Sequence, residues 1–477
     1  MKMSTNSSSA EIQLACLVDM LGLLEHIVGA TPPFAPVPGL QNGAVSAVVR
    51  ALAVHQEHVE LQEVGLQTLH CLLQLPENFT ETLVADALPT VLSTIMLYSK
   101  KMDCPVKLHQ RALAVLDLFV SRLAQTPNLP ELVSASGGLD GVIRVTSSFS
   151  SDPSVTGLAC AIMASVVREN VGAQNLAGSS SAAEAVVAAL TQSHSLQTSQ
   201  NGCFALAALA FRHVGNQDRV GAAGGVEAVV KTMMAFPSDQ AVQRHGCAAL
   251  GNLSCQHPDN QQRLGAVGGV ECIVAALSRF VDDLEVVHNA NGALGYAVFQ
   301  HEENQAKGIA AGGVEATIRV MVAHAGVEDV ERVGCFSLRC LAALGEASAQ
   351  QVRTAGQKLI VGLEKHGADS VRLQASMLLE FLNEGRGLEL ALLNMLPTFT
   401  AGEERPGAAG GASAEECSIC LQATQPGETM RRLPCLHAFH AACADQWLKT
   451  SGSCPQCRGD ILQLVSAGDE DNSKLLV

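Results

Sequence analysis

Aromatic side chains are scarce in this chain: they make up 3% of it, with one tryptophan and two tyrosines among 477 residues. Globular cores usually draw much of their buried area from Phe, Tyr and Trp. A chain that is 48% apolar without them must build its interior from Ala, Val, Leu and Gly, which suits helices packed closely through small side chains. Clustered positive charge is also missing. The formal net charge is −16 with no long basic run, which argues against nucleic acid as the main ligand, since phosphate binding needs grouped Lys and Arg. Long apolar runs are absent too. ACAIMASVV at 159–167 is about half the length needed to span a bilayer, and Glu11, Asp19 and Glu25 interrupt any signal-peptide core near the start. The expectation is a soluble protein without membrane insertion, in the cytoplasm, with the nucleus also open. No G-x-S-x-G elbow or Walker loop points to a hydrolase or NTPase.

What the chain does have is a repeat. NQDRVGAAGGVE (216–227), NQQRLGAVGGVE (260–271) and NQAKGIAAGGVE (304–315) nearly copy one another, their asparagines 44 residues apart. Weaker echoes begin at Gly137 (GGLDGVI) and at 182–190 (AAEAVVAAL). A second marker keeps the same beat: Gly65, Ala112, Gly157, Gly202, Gly246, Ala290, Gly334 and Ala375 recur in steps of 41 to 47. A period of this length is the signature of a helical solenoid. Each unit reads as a short helix at the NQ segment, a Gly-Gly turn, a second helix such as VEAVVKTMMAF, and a third such as AVQRHGCAALGNLSCQ. The small residue on the third helix lets neighbours approach, a use that must outweigh the roughly 1 kcal/mol helix cost of Gly. Recurrence every 44 residues marks the Gly-Gly pairs as turns rather than phosphate loops.

The period and the GGVEAVV and GCAALGNLS motifs resemble armadillo repeats, over about residues 41–390, or seven to eight units. The resemblance implies an α-solenoid with a groove that takes a protein segment. Nuclear-import receptors of this fold line the groove with repeated Trp and Asn; here only Asn252 fits, its equivalents being Ala208, Tyr296 and Cys340. An import receptor is therefore not expected.

Sixteen cysteines divide into two populations. Ten are scattered through 1–400 on apolar stretches and read as small buried hydrophobes. Six fall within 417–457, interleaved with two histidines as C-x2-C-x14-C-x-H-x2-H-x2-C-x10-C-x2-C. Eight such ligands, Cys417, Cys420, Cys435, His437, His440, Cys443, Cys454 and Cys457, fit two closed tetrahedral zinc sites, which are structural rather than catalytic. A redox dithiol would not explain two C-x2-C pairs plus two histidines, and a disulfide framework does not suit a reducing compartment. Pairing could be sequential, giving two independent loops, or interleaved, locking the segment; spacing alone does not choose.

The segment resembles a RING finger of the H2 subtype, a small ββα domain, and the resemblance implies the interleaved cross-brace. Site one is then Cys417, Cys420, His440 and Cys443; site two is Cys435, His437, Cys454 and Cys457. The same resemblance implies an E3 ubiquitin ligase that recruits a ubiquitin-loaded E2 conjugating enzyme. Ile419, Trp447 and Pro455 match the family's apolar E2-docking positions, and an exposed Trp447 is expected as an interface anchor. Arg458 follows the last ligand, where many members place a linchpin that bonds E2 and ubiquitin together. No covalent nucleophile is expected on this chain.

The expected architecture is mostly α: an N-terminal segment and capping helix (1–40), a solenoid (41–390), a flexible linker (391–415), the RING-H2 finger (416–462) and an acidic tail (463–477). The expected partners are an E2 enzyme, ubiquitin, and a protein substrate or adaptor in the groove. The alternative is a non-catalytic scaffold whose RING serves only assembly.

Overall fold

The repeated Asn-Gln pair lies in the first turn of a short helix, and a histidine just ahead of it starts that helix. The side chains of His213, His257 and His301 accept from the backbone N–H of Asn216, Asn260 and Asn304, satisfying an amide that every helix start leaves unpaired. The asparagines themselves are buried and reach in two directions. Asn260 Nδ2 donates to the carbonyl of Leu253, 2.9 Å away at the end of the preceding helix, and to that of Gln217, 3.1 Å away in the previous repeat. Asn216 does the same with Leu209 and Gln174 at 3.0 and 3.1 Å, while Gln217 Nε2 donates to the Asn252 carbonyl at 2.8 Å. The motif is a polar staple between successive repeats.

The Gly-Gly pair follows. Gly224, Gly268 and Gly312 turn the chain with φ between 76° and 82°, a region that costs other L-residues roughly 1–2 kcal/mol. The second glycine is required by space: a Cβ on Gly225 would lie 2.4 Å from Val220 Cγ1 and 2.8 Å from the Val220 carbonyl oxygen. Second helices run over Gly225–Ala235, Gly269–Arg279 and Gly313–Ala323, and third helices over Gln240–Ser254, Leu284–Val298 and Glu328–Ala342. Asp239 and Asp283 cap the first two of those third helices through Val242 and Val286 N–H. The eight small residues at the repeat period all fall on long helices, from Val59–Gln74 to Asp369–Asn383, and this is an armadillo-type α-solenoid. The last repeat departs from the pattern. Where the second glycine should stand the chain has Gln357, Gly356 stays helical, and one 21-residue helix, Glu346–His366, replaces two.

The computed structural model describes residues 9–28, 43–75, 81–101, 103–122, 129–383, 396–401 and 416–461. The chain divides into two units, residues 1–267 and 268–477. The second holds the later repeats and a small mixed domain. In that domain β1 (Thr398–Thr400), β4 (Thr429–Arg432) and β5 (Ala438–His440) form an antiparallel sheet in the order β1-β4-β5, and β2 (Glu416–Cys417) pairs with β3 (Gln422–Ala423). A helix, Ala441–Thr450, follows β5 directly. Strand β1 lies inside the 391–415 stretch read from sequence as a flexible linker: Thr-Phe-Thr favours a strand, Phe399 pairs with Met430, and the Arg432 guanidinium covers its ring at 4.6 Å. Residues 402–415 of that stretch, nearly all of RGLELALLNML (386–396), whose apolar content reads from sequence as a final helix or cap, much of the 1–40 segment, and the 463–477 tail lie outside the described residues.

Among the described residues no helix is long and apolar enough to cross a membrane. Of the ten scattered cysteines, Cys160, Cys203, Cys247, Cys335 and Cys340 are fully buried and the other five half-buried. Burial pushes the thiols of Cys160 and Cys203 up to about 12, so these are inert core residues, as their apolar setting implied.

Candidate metal centres and the face beside them

Two tight turns and one hairpin bring the eight ligands together. Each C-x2-C pair closes on itself through a backbone bond, Leu421 N–H to the Cys417 carbonyl at 2.7 Å and Arg458 N–H to the Cys454 carbonyl at 2.9 Å. The residue after each second cysteine takes a left-handed backbone, φ 62° at Leu421 and 60° at Arg458. The β4–β5 hairpin then carries Cys435 and His437 in its loop and His440 at its end, and the helix supplies Cys443 one turn in. In a β-strand and its continuation, alternate residues face opposite sides, which is how so crowded a stretch serves two centres.

The ligand atoms of Cys417, Cys420, His440 and Cys443 lie within 4.8 Å of one another, and so do those of Cys435, His437, Cys454 and Cys457. The grouping is the interleaved one. His440 Nδ1 is 3.3 Å from Cys420 Sγ and 3.9 Å from Cys443 Sγ, while His437 Nδ1 is 3.4 Å from Cys435 Sγ and 3.7 Å from Cys454 Sγ. Zinc–sulfur bonds of about 2.3 Å and zinc–nitrogen bonds of about 2.0–2.1 Å in a tetrahedron place S and N roughly 3.5 Å apart, so both clusters have the dimensions of zinc sites. Their donor chemistry, three sulfurs and one imidazole with no further ligand position, suits structural zinc.

A carboxylate completes the first cluster. Glu428 Oε2 sits 3.1 Å from His440 Nε2, the ring nitrogen turned away from the sulfurs, and Glu428 is itself fixed by the Gln425 N–H at 2.7 Å. This fixes the tautomer and ring orientation, as outer partners of metal-ligating histidines do. Burial opposes charge on His440, but the surrounding thiols and Glu428 outweigh it and hold the ring's pKa up to about 12; the pocket is an electron-rich one that favours a cation. Nearby, buried Arg431 pairs with Asp445 and donates to the Leu396 carbonyl, tying the sheet to the helix and to the chain two residues before β1. Glu428, Arg431 and Asp445 went unnoticed in the sequence, because an acid or base among many others signals nothing until the fold brings it to its partner.

The residues expected to dock E2 are placed differently from expectation in one respect. Trp447, expected to be exposed, is 3% exposed, and Ile419 is 2% exposed; Pro455 is buried as well. The indole N–H donates to the Ser453 carbonyl at 2.8 Å. Both Ile419 and Trp447 belong to one buried cluster that includes Met377 from the last long helix of the solenoid, with Phe299 and Leu373 packed against it. The correction has a simple cause: the later repeats lie against this face. Arg458 is more open, its side chain 55% exposed, with Nη2 3.4 Å from Glu364 Oε1.

Residues 415–458 match the Ring finger domain family. Among curated proteins, the chain is 57% identical over 47 residues to E3 ubiquitin-protein ligase arkadia of Xenopus tropicalis, covering 10% of this chain and 5% of that one. It is 39% identical over 89 residues to E3 ubiquitin-protein ligase ATL9 of Arabidopsis thaliana (18% and 23%) and 44% identical over 77 residues to ATL41 of the same plant (16% and 31%). The chain thus spans less than a third of the length of any of these three relatives. Among solved structures, an engineered protein from the Northeast Structural Genomics Consortium superposes with a TM-score of 0.56 at 20% identity, covering 81% of this chain and 98% of that one. A designed armadillo repeat protein gives a TM-score of 0.46 at 20% identity over 51% of this chain and all of the other.

Proposed function

We propose that this chain, an armadillo-repeat protein with a C-terminal RING-H2 finger, is a RING-type E3 ubiquitin ligase that recruits a ubiquitin-loaded E2 through the finger and a protein substrate or adaptor through the solenoid. The observation that carries the reading is the interleaved closure of eight ligands into two clusters of zinc-site dimensions. Two structural zinc ions held there supply folding free energy, on the order of 10 kcal/mol or more, to a domain of too few residues to fold on apolar burial alone.

The chemistry is assigned to positioning. Ile419, Trp447 and Pro455, once uncovered, form the apolar face that an E2 loop would cover. Arg458 is held at the rim by the Cys454 carbonyl bond to its N–H, and its planar guanidinium suits bonding E2 and ubiquitin at once. With the conjugate so restrained, the substrate lysine amine attacks the thioester carbonyl and the E2 thiol leaves; no bond to this chain forms. Restraint of that kind lowers the entropic share of the barrier. The setting proposed is the cytoplasm or nucleus.

The test is discharge of an E2–ubiquitin thioester onto lysine by the full chain, across a panel of E2 enzymes. Arg458→Ala removes a charge-assisted bond worth about 1.5–3 kcal/mol, so discharge should fall roughly 10- to 100-fold with both zinc ions retained. With the covering contact broken, discharge indifferent to Arg458→Ala and Ile419→Ala would contradict the assignment. One observation favours the alternative, a RING used only for assembly: Ile419 and Trp447 are already covered by the later repeats. That reading forecasts no discharge with any E2, even after the covering contact is broken.

A further inference from the structure

Beside its apolar part, where Met377, Phe299 and Leu373 pack with Ile419 and Trp447, the covering contact is held by specific polar groups. From the helix Glu328–Ala342, Arg339 is 6% exposed; its guanidinium donates to the Ile419 carbonyl and lies over the Trp447 ring, 5.6 Å from the centroid. From the helix Asp369–Asn383, Gln374 Nε2 donates to the Ser418 carbonyl at 2.6 Å, and Glu380 accepts from the hydroxyls of Ser451 and Ser453. Glu364, on the helix between them, faces Arg458. Three parts of the expected docking face have a solenoid partner: the first zinc turn has Arg339 and Gln374, the tryptophan has Arg339, and the linchpin has Glu364, while Glu380 holds Ser451 and Ser453 close to Pro455 in sequence.

We infer that this is an autoinhibited arrangement, in which the last long helices of the solenoid latch the RING and mask its E2-docking face, so that ligase activity requires the latch to open. The inference rests on the ligase reading above. An E2 loop and the Arg339 side chain compete for the same ground, the Ile419 carbonyl and the Trp447 ring. The contact is built to separate. Arg339 Nε has no hydrogen-bond partner, and a cation buried against one carbonyl and ring faces surrenders hydration that those groups replace only in part. On opening, the Arg339 guanidinium, the Glu380 carboxylate and the serine hydroxyls return to water, and contacts of this kind between parts of one chain commonly allow relative motion.

Trp447 is the sole tryptophan of the chain, so its fluorescence reports this contact without reference to activity. The experiment compares the full zinc-loaded chain with Arg339→Ala/Glu380→Lys, and with Glu364→Arg/Glu380→Lys, which leaves Arg339 and the buried cluster intact. Zinc content and helical circular dichroism verify that each variant is folded. Expected are a red-shifted emission, a threefold or greater rise in acrylamide quenching, and at least tenfold faster E2 discharge than the unmodified chain. Unchanged quenching in both folded variants overturns the latch. So does an unmodified chain that discharges E2 as fast as they do. Quenching that rises while every protein remains inert with every E2 sinks the ligase reading, and the inhibitory role with it, while leaving the contact itself standing.

Discussion

Glu428 offers the sharpest local test of the first metal centre. It is neither a ligand nor part of the docking face, yet its carboxylate accepts from His440 Nε2 at 3.1 Å and from the Gln425 N–H at 2.7 Å. Glu428→Ala would free the imidazole to rotate and lower its basicity, a loss that typically costs 10- to 100-fold in metal affinity, or about 1.4–2.7 kcal/mol. Glu428→Gln keeps an acceptor at the same reach but removes the charge, and should fall nearer the lower bound. The second cluster has no contact with Glu428, so its affinity should hold. Competition against a chromophoric chelator, read as two successive zinc-release steps, separates the two sites. An equal loss at both, or no loss at either, would refute the reasoning that His440 is oriented from outside its cluster.

Three further outcomes concern the solenoid. Asn260→Ala leaves the buried carbonyls of Leu253 and Gln217 without their shared donor, at about 1–3 kcal/mol for each carbonyl so orphaned; urea unfolding followed at 222 nm should shift accordingly, and a change below about 0.5 kcal/mol would dismiss the staple. Gly224→Ala forces a left-handed alanine at φ 82° and should cost roughly 1–2 kcal/mol, whereas Gly225→Ala must displace the Val220 carbonyl and should cost more; the reverse order in thermal melts would count against the turn geometry. The contribution of Cys160 and Cys203 to stability should be flat up to about pH 9 and fall above it, because both thiols stay protonated in the folded chain to about 12 while they ionise near 9.0 when unfolded. The folded state then binds the extra proton, so each such thiol removes about 1.4 kcal/mol per pH unit within that window; replacement of both residues by Ala should make the fall shallower by their share, leaving that of Cys335 and Cys340, which burial also pushes up to about 12.

The repeat and the ligand set were legible because each is written in local spacing. A 44-residue echo needs only the chain itself, and eight soft ligands within a short segment have few other uses. The helix order of each unit followed from Gly-Gly, which needs no tertiary information to demand a turn. The staple role of Asn and Gln was not legible: the motif could be seen, but its bonds run to carbonyls in the preceding repeat. The merged helix Glu346–His366 turned on the replacement of one glycine by Gln357, a change too small to weigh before the turn was seen to need both. Strand β1 was lost in a stretch judged by its small polar neighbours. Burial of Trp447 was least legible of all. Arg339, Gln374 and Glu380 lie 44 to 108 residues away along the chain from the groups they meet or cover, among them Ser418, Ile419, Trp447 and Ser451, and nothing in their own surroundings announces the contact.

The most direct measurement takes a latch-opened chain, Glu364→Arg/Glu380→Lys, and the same chain with Ile419→Ala added, and follows single-turnover discharge of E2–ubiquitin onto lysine at full zinc occupancy. The account predicts rapid discharge by the first protein and at least a tenfold loss in the second. Equal rates in the two, or silence from both across the E2 panel, would contradict it.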